Sequence, residues 1–384
     1  MRFEFATAGR IIFGAGALAE VGPLAAGMGR RAFVVIGHTR PRAQPLLDVL
    51  AGQGLDVSLF QVPGEPTNHL VRQGVQAARE HGSEVVIGFG GGSVLDAGKA
   101  ISLILTNGGR PMDYLEVIGA GRAFTQPAAP YIAIPTTAGT GTEVTRNAVL
   151  TVPEEAVKVS LRSPYLLPRV AVVDPELTYS VPPAITAATG LDALTQLIEP
   201  YVTPRHNAMT DPLCRDGMGR VAHSLLRAYQ NGENAAARSD MALASLFGGL
   251  ALANAKLGAV HGFASVLGGM FHAPHGAVCG CLLAPTMAVT IHALRHRRPD
   301  SDALHRYEEV ARIFTDDPQA TAAAGVAWVE ALCQTLKVPG LGSYGVAERH
   351  FPELIQKASV SSSMQGNPIK LTPDEMHEVL RRAL

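Results

Sequence analysis

The chain has 384 residues, 47% of them hydrophobic and 17% charged, with a formal net charge of −1 at pH 7. That length is more than one hydrophobic core ordinarily fills, so two domains are expected. The even charge balance gives no electrostatic reason to expect nucleic acid or a membrane surface as a partner.

The opening stretch MRFEFATAGRIIFG lacks the long apolar segment of a secretory signal. No run approaches the ~18 uninterrupted apolar residues of a spanning helix, so a cytoplasmic location is expected. The basic run Arg295–Arg298 reads as a solvated helix end rather than an anion site. The four cysteines, Cys214, Cys279, Cys281 and Cys333, are scattered, and Cys279-Gly-Cys281 is too closely spaced for a CxxC redox pair. All four are expected to be buried, reduced thiols.

In chain order, Arg31–Gly37 is an apolar run ending in glycine, and Pro45–Gly54 behind it has helical character. Val57–Val62 is a second strand, His69–His81 a helix, and Glu84–Gly88 a short buried strand running into glycines. Tyr131–Ile134 and Val170–Val173 are further apolar strands. Continuous apolar strands separated by helices imply a parallel sheet covered on both faces. The character changes at Pro182-Pro183. From Ala184 onward Ala, Leu and Met dominate, with helical patterns at Thr186–Glu199, Ser239–Leu257, Ser265–Gly269, Leu304–Phe314 and Thr372–Leu384. The last has Thr as its cap, Pro in its first turn and acids beside the dipole. The expected fold is an α/β, Rossmann-like dinucleotide-binding domain over 1–183 followed by an all-α catalytic domain over 184–384.

Two polar loops stand at strand ends. Gly88–Asp96 (GFGGGSVLD) follows a strand and opens a helix over Ser93–Leu103. Its bare backbone and helix N-terminus suit a pyrophosphate, and Asp96 joins this cofactor-facing set. Taken alone, such a loop is also an ordinary tight turn. Pro135–Glu143 (PTTAGTGTE) is a second loop after a strand, with hydroxyls suited to phosphate or ribose. Together they favour a nucleotide at the carboxyl ends of the sheet. The first strand ends in Gly37-His38-Thr39-Arg40, with no acid to hold an adenosine 2′-hydroxyl. Gly37 leaves room for a 2′-phosphate that His38 or Arg40 would pair with, so NAD and NADP both stay open.

In the helical half, Asp192 and Gln196 are four apart and share one face of an apolar helix. His261 and His275 lie in apolar, glycine-flanked surroundings. A bare carboxylate there costs several kcal/mol, so it needs a partner. Each histidine singly reads as a satisfied core residue. Asp192, Gln196, His261 and His275 beside a nucleotide suit a divalent metal, Fe(II) first and Zn second.

On these motifs the sequence resembles the iron-containing (group III) alcohol dehydrogenase family over essentially its whole length. The matching segments are Gly90–Ala100, Pro135–Thr145, Lys158–Thr178, Gly190–Val202, Gly258–Gly269 and Pro274–Gly276. The resemblance implies a dehydroquinate synthase-like fold, NAD(P)-linked interconversion of an alcohol with an aldehyde or ketone, and a homodimer or larger homo-oligomer. It also implies that Gly91, Gly92 and Ser93 cradle the pyrophosphate, Thr136, Thr137 and Thr140 line the cofactor, and Lys158 reaches its ribose. Asp192, His261 and His275 fall at metal-ligand positions. The family's fourth ligand is a histidine where this chain has Gln196, and a relay histidine is replaced by Ser265. Proton exchange would then use water, Ser265 or His272. Gln196 favours an alternative, a metal-independent reductase resembling maleylacetate reductase, which the retained Asp192, His261 and His275 oppose. A nucleotide-binding regulator without catalysis is a third reading, separated from the first by the metal. A lyase would need more basic residues than the helical half supplies.

Overall fold

A computed structural model describes residues 2–115, 118–155 and 157–384. The chain divides into two compact units. One comprises Ala6–Thr137 and Gly141–Tyr179. The other comprises Ser180–Leu384 with Ala138–Thr140 and the stretch ending at Phe5.

The first unit runs β1 (Ile11–Phe13), α1 (Val21–Ala26), β2 (Arg31–Gly37), α2 (Gln44–Ala51), β3 (Asp56–Val62), α3 (Asn68–His81) and β4 (Val85–Gly90). It continues through α4 (Gly92–Asn107), α5 (Pro111–Tyr114), β5 (Tyr131–Pro135), β6 (Asn147–Val152), β7 (Val157–Arg162) and β8 (Val170–Val173). A parallel sheet has the order β1-β8-β5-β4-β2-β3, and β6 pairs with β7 as a separate antiparallel hairpin.

The central strands are unbroken apolar runs because both faces of the sheet are covered. Alternate residues serve opposite sides: Phe33 and Val35 pack with Val86 and Leu95, while Val34 and Ile36 pack with Ile87 and Ile132. Helix ends carry their own signals. Thr67 Oγ1 accepts from Leu70 N at 3.0 Å to start α3, and Gly82 closes it with φ 68°. The chain passes from β2 out to β3, then returns to β4 on the other side of β2. Strand order therefore reverses between β2 and β4, where open parallel sheets bind ligands beyond the strand ends. Gly37 ends β2 and Gly90 ends β4 at that point.

The second unit is helical: α6 (Pro183–Val202), α7 (Thr210–Gln230), α8 (Ala235–Asn254), α9 (Ala259–Phe271), α10 (His275–Arg297), α11 (Asp302–Thr315), α12 (Ala322–Thr335), α13 (Phe351–Ser359) and α14 (Pro373–Ala383). Its core joins Leu191, Leu194 and Leu197 of α6 to Phe263 of α9 and Leu282 of α10. Helix α10 is long and apolar enough to cross a membrane, with a mean hydropathy of 1.8, but 78% of that window is buried inside the protein. Burial accounts for its composition. Two glycines let α10 lie close on α6. A Cβ at Gly276 would stand 2.3 Å from the Ala188 carbonyl oxygen, and one at Gly280 2.6 Å from Leu191 Cδ1. That close approach brings the first turn of α10 to the polar face of α6.

Candidate functional site

The polar groups of the helical unit converge. Asp192 on α6, His261 on α9, and His275 and Cys279 on α10 each offer an atom, all within 4.8 Å of one another. Asp192 Oδ1 lies 3.3 Å from His261 Nε2 and 3.8 Å from His275 Nε2. Cys279 Sγ lies 3.7 Å from His275 Nε2 and 4.0 Å from His261 Nε2. Asp192 and Gln196 are 2% and 3% exposed, yet Asp192 Oδ1 and Gln196 Oε1 have no hydrogen-bond partner among the described residues. Leaving such atoms bare costs about 1–3 kcal/mol each, so the pocket is built for an additional partner. A carboxylate, two imidazoles and a thiol are the donor set of a borderline transition metal. The His275 side chain is 38% exposed, so the cluster is open on that side.

Glu199, two turns below Asp192 on α6, supports the cluster from behind. Its Oε2 accepts from His261 Nδ1 at 2.7 Å, and its Oε1 accepts from Val260 N at 2.7 Å in the first turn of α9. The charges are mutually coupled. Burial alone would push the Asp192 carboxyl up, but His261 and His275 hold it below the usual range. Burial would lower His261, and the negative charges of a Cys279 thiolate and of Glu199 hold it well above its ordinary value instead. Burial likewise pushes the Cys279 thiol up, and the two imidazoles outweigh it.

Of the four thiols expected to be buried, Cys214 and Cys279 are, while Cys281 and Cys333 are only partly covered, and Cys279 is also part of the cluster. The signal for that role is its spacing, four residues after His275, which places both on one face of α10. Glu199 is a further site residue that the motifs do not single out, though it continues the Asp192 face of α6. Ser265 Oγ donates to Gly262 O at 3.2 Å, and His272 ends α9 exposed, in a left-handed turn at φ 51°.

In the α/β unit, Gly91 caps α4, and Gly92 and Ser93 form its first turn, where backbone N–H groups have no partner within the helix. A Cβ at Gly90 would stand 2.6 Å from Val94 Cβ, and one at Gly91 3.3 Å from Thr137 Oγ1, so the turn admits only bare backbone beside the second loop. Thr136 N donates to Gly90 O at 3.0 Å and ties the two loops together. Gly37 faces open space, with only Val94 Cγ2 at 3.8 Å from its would-be Cβ. Thr140 belongs by its packing to the helical unit, and a Cβ at the neighbouring Gly139 would meet Thr189 Cβ at 2.6 Å.

Two expected cofactor residues are engaged otherwise. The Asp96 carboxylate is buried and accepts from Val149 N at 3.0 Å and Thr142 Oγ1 at 3.3 Å. With Lys99, whose Nζ donates to the Thr145 and Asn147 carbonyls at 2.8 and 3.0 Å, it fastens α4 to the β6 strand rather than facing a cofactor. Lys158 Nζ is paired with Glu65 Oε1 at 2.5 Å.

Comparison with known proteins gives the family. Residues 8–175 match the family model of iron-containing alcohol dehydrogenase, and residues 186–384 match that of the C-terminal region of the Fe-containing alcohol dehydrogenase family. Alcohol dehydrogenase 4 of Saccharomyces cerevisiae is 36% identical over 340 residues, spanning 87% of this chain and 85% of the yeast protein. Among solved structures, a 1,3-propanediol oxidoreductase matches with a TM-score of 0.93 at 31% identity, covering 100% of both chains. Sulfoacetaldehyde reductase from Bifidobacterium kashiwanohense, solved in complex with NAD+, matches with a TM-score of 0.87 at 30% identity, covering 100% of this chain and 99% of that one. The chain belongs to the iron-containing alcohol dehydrogenase family.

Proposed function

We propose that this protein is a metal-dependent, NAD(P)-linked dehydrogenase interconverting a small primary alcohol and its aldehyde, and that Asp192, His261 and His275 hold the metal. The observation that carries this reading is the convergence of buried polar groups in one pocket, the Asp192 carboxylate with two imidazoles. A metal-free reductase would have no use for them, which disfavours the maleylacetate reductase-like alternative. When bound, a divalent metal, Fe(II) or Zn, supplies Lewis acidity toward the substrate oxygen while nicotinamide carries the hydride.

The chain's own residues do the rest. Glu199 accepts from His261 Nδ1 and so orients the ring with Nε2 toward the cluster, where a bound metal would take its lone pair. The exposed side of His275 admits substrate. Gly91, Gly92 and Ser93 receive the pyrophosphate at the α4 N-terminus, and Thr136, Thr137 and Thr140 contribute hydroxyls along the cofactor. Ser265, His272 and water exchange the alcohol proton with solvent. Residues 1–183 serve the cofactor and 184–384 the metal. Gly37 and the lack of an acid at the end of β2 support use of NADPH as well as NADH. The free thiols support a reducing, cytoplasmic setting, and family likeness supports a homodimer.

The test is NADH- and NADPH-dependent reduction of an aldehyde panel before and after chelation. Activity is expected to be lost on chelation and restored by Fe(II) or Zn. Undiminished turnover by the metal-free protein would overturn the proposal.

A further inference from the structure

We propose that Cys279 is a direct metal ligand in this chain, its thiolate taking the coordination vertex that Gln196 leaves weakly served, and that the site accordingly favours zinc. The inference rests on the metal reading above and specifies its ligand set.

Four of the six donor–donor edges approach those of a coordination shell, and the other two lie within 4.8 Å. Metal–sulfur bonds of about 2.3 Å and metal–nitrogen or metal–oxygen bonds of about 2.0–2.2 Å at tetrahedral angles give edges of about 3.5 Å for S···N and about 3.3 Å for N···O. The structure has Cys279 Sγ at 3.7 and 4.0 Å from the two imidazole Nε2 atoms, and Asp192 Oδ1 at 3.3 and 3.8 Å from the same two. Those four atoms come from three helices, and the spacing of α10 on α6 is fixed independently of any ion by the Gly276 and Gly280 contacts. A second observation points into the same pocket: Asp192 Oδ1 is buried without a well-formed hydrogen bond, met only by the two imidazole Nε2 atoms at 3.3 and 3.8 Å. Cys279 itself is fully buried, and its thiol meets the two imidazoles.

Gln196 plays a different part. It stands one helical turn after Asp192 on α6 and helps hold that carboxyl below the usual range. A neutral amide is a poor donor to a borderline metal, whereas a thiolate is a strong one. Soft sulfur ligation favours zinc over Fe(II) in a site that otherwise carries one carboxylate and two imidazoles. On binding, the metal displaces one proton from the Cys279 thiol to solvent, with no change of oxidation state.

X-ray absorption at the zinc edge of the zinc-loaded full-length protein tests this directly. The expected result is one sulfur scatterer at about 2.3 Å beside nitrogen and oxygen at about 2.0 Å. A shell of nitrogen and oxygen alone overturns the proposal. Cobalt(II) supplies the second readout. The near-ultraviolet thiolate-to-cobalt band is expected in the wild type and in Gln196→Ala and is lost in Cys279→Ser. A band that survives in Cys279→Ser, or vanishes in Gln196→Ala alone, contradicts it. If the loaded enzyme turns over alcohols with no sulfur in the shell, the thiolate assignment fails and the functional reading stands. Metal held through sulfur without turnover upholds the thiolate ligand and overturns the functional reading. A protein that retains no metal refutes both.

Discussion

Glu199 Oε2 lies 2.7 Å from His261 Nδ1, and the other oxygen of the same carboxylate accepts from Val260 N. One buried acid thus fixes both the orientation of an imidazole of the cluster and the first turn of the helix that carries it. Carboxylate–histidine pairs of this kind typically change metal affinity by about 10–100-fold when broken. Glu199→Ala is expected to weaken zinc binding by that factor in a chelator competition, and Glu199→Gln to weaken it less. Wild-type affinity in a folded Glu199→Ala variant would contradict the role.

The glycine contacts between α10 and α6 are expected to matter for the same site. Gly276→Ala forces a Cβ against the Ala188 carbonyl. It should cost about 1–3 kcal/mol and reduce bound metal. Gly219, in α7, is the control, because a Cβ there meets nothing within 4 Å. Gly219→Ala should stabilise by about 0.5–1 kcal/mol and leave metal content unchanged. Thermal midpoints with elemental analysis check both.

Glu143 gives a pH dependence with a definite sign. It is 1% exposed, and burial pushes its carboxyl from 4.5 up to about 7 against the pull of its own backbone N–H and of Lys99. The folded state therefore holds this proton more tightly than the unfolded chain, so the wild type loses stability as pH rises from about 4.5 to about 7. Glu143→Gln removes that loss. Its stability relative to wild type should grow between about pH 5 and about pH 8 by up to about 3 kcal/mol. A constant difference across that range would refute the assignment.

Cofactor choice is tested at the end of β2. Gly37→Asp places a carboxylate where a 2′-phosphate would lie, and like charges there cost several kcal/mol. The expected outcome is a fall in kcat/KM with NADPH of about tenfold or more, with NADH little affected. Equal effects on the two cofactors would rule out a 2′-phosphate site at Gly37.

Much of the fold is legible in the sequence because its signals are local. The strands at Arg31–Gly37 and Val170–Val173 are bounded as their apolar runs suggest, and Thr372 starts α14 with a reciprocal cap to Glu375. Elements whose signals conflict are not. Helix α10 carries Pro285 and a glycine- and cysteine-rich start, and α7 is studded with charges such as Asp211, Arg215 and Arg220. The β6 strand does alternate, with Ala148, Leu150 and Val152 buried, but its loop-like neighbours hide it. At the site, Asp192, Gln196, His261 and His275 stand out as polar groups in apolar surroundings. Cys279 does not, because a cysteine looks at home in a core; its spacing four residues after His275 gains meaning only once α10 is seen to approach α6. Asp96 errs in the opposite direction, since its motif position says nothing of the buried Lys99 and Thr142 around it.

Bound metal measured together with turnover, in wild type and in Asp192→Ala, tests metal-dependent catalysis at this cluster most directly. The expected result is close to one equivalent of metal and NAD(P)H-dependent aldehyde reduction in the wild type, with both lost in a folded Asp192→Ala variant. Turnover that persists in Asp192→Ala, or in wild type stripped of metal, would contradict it.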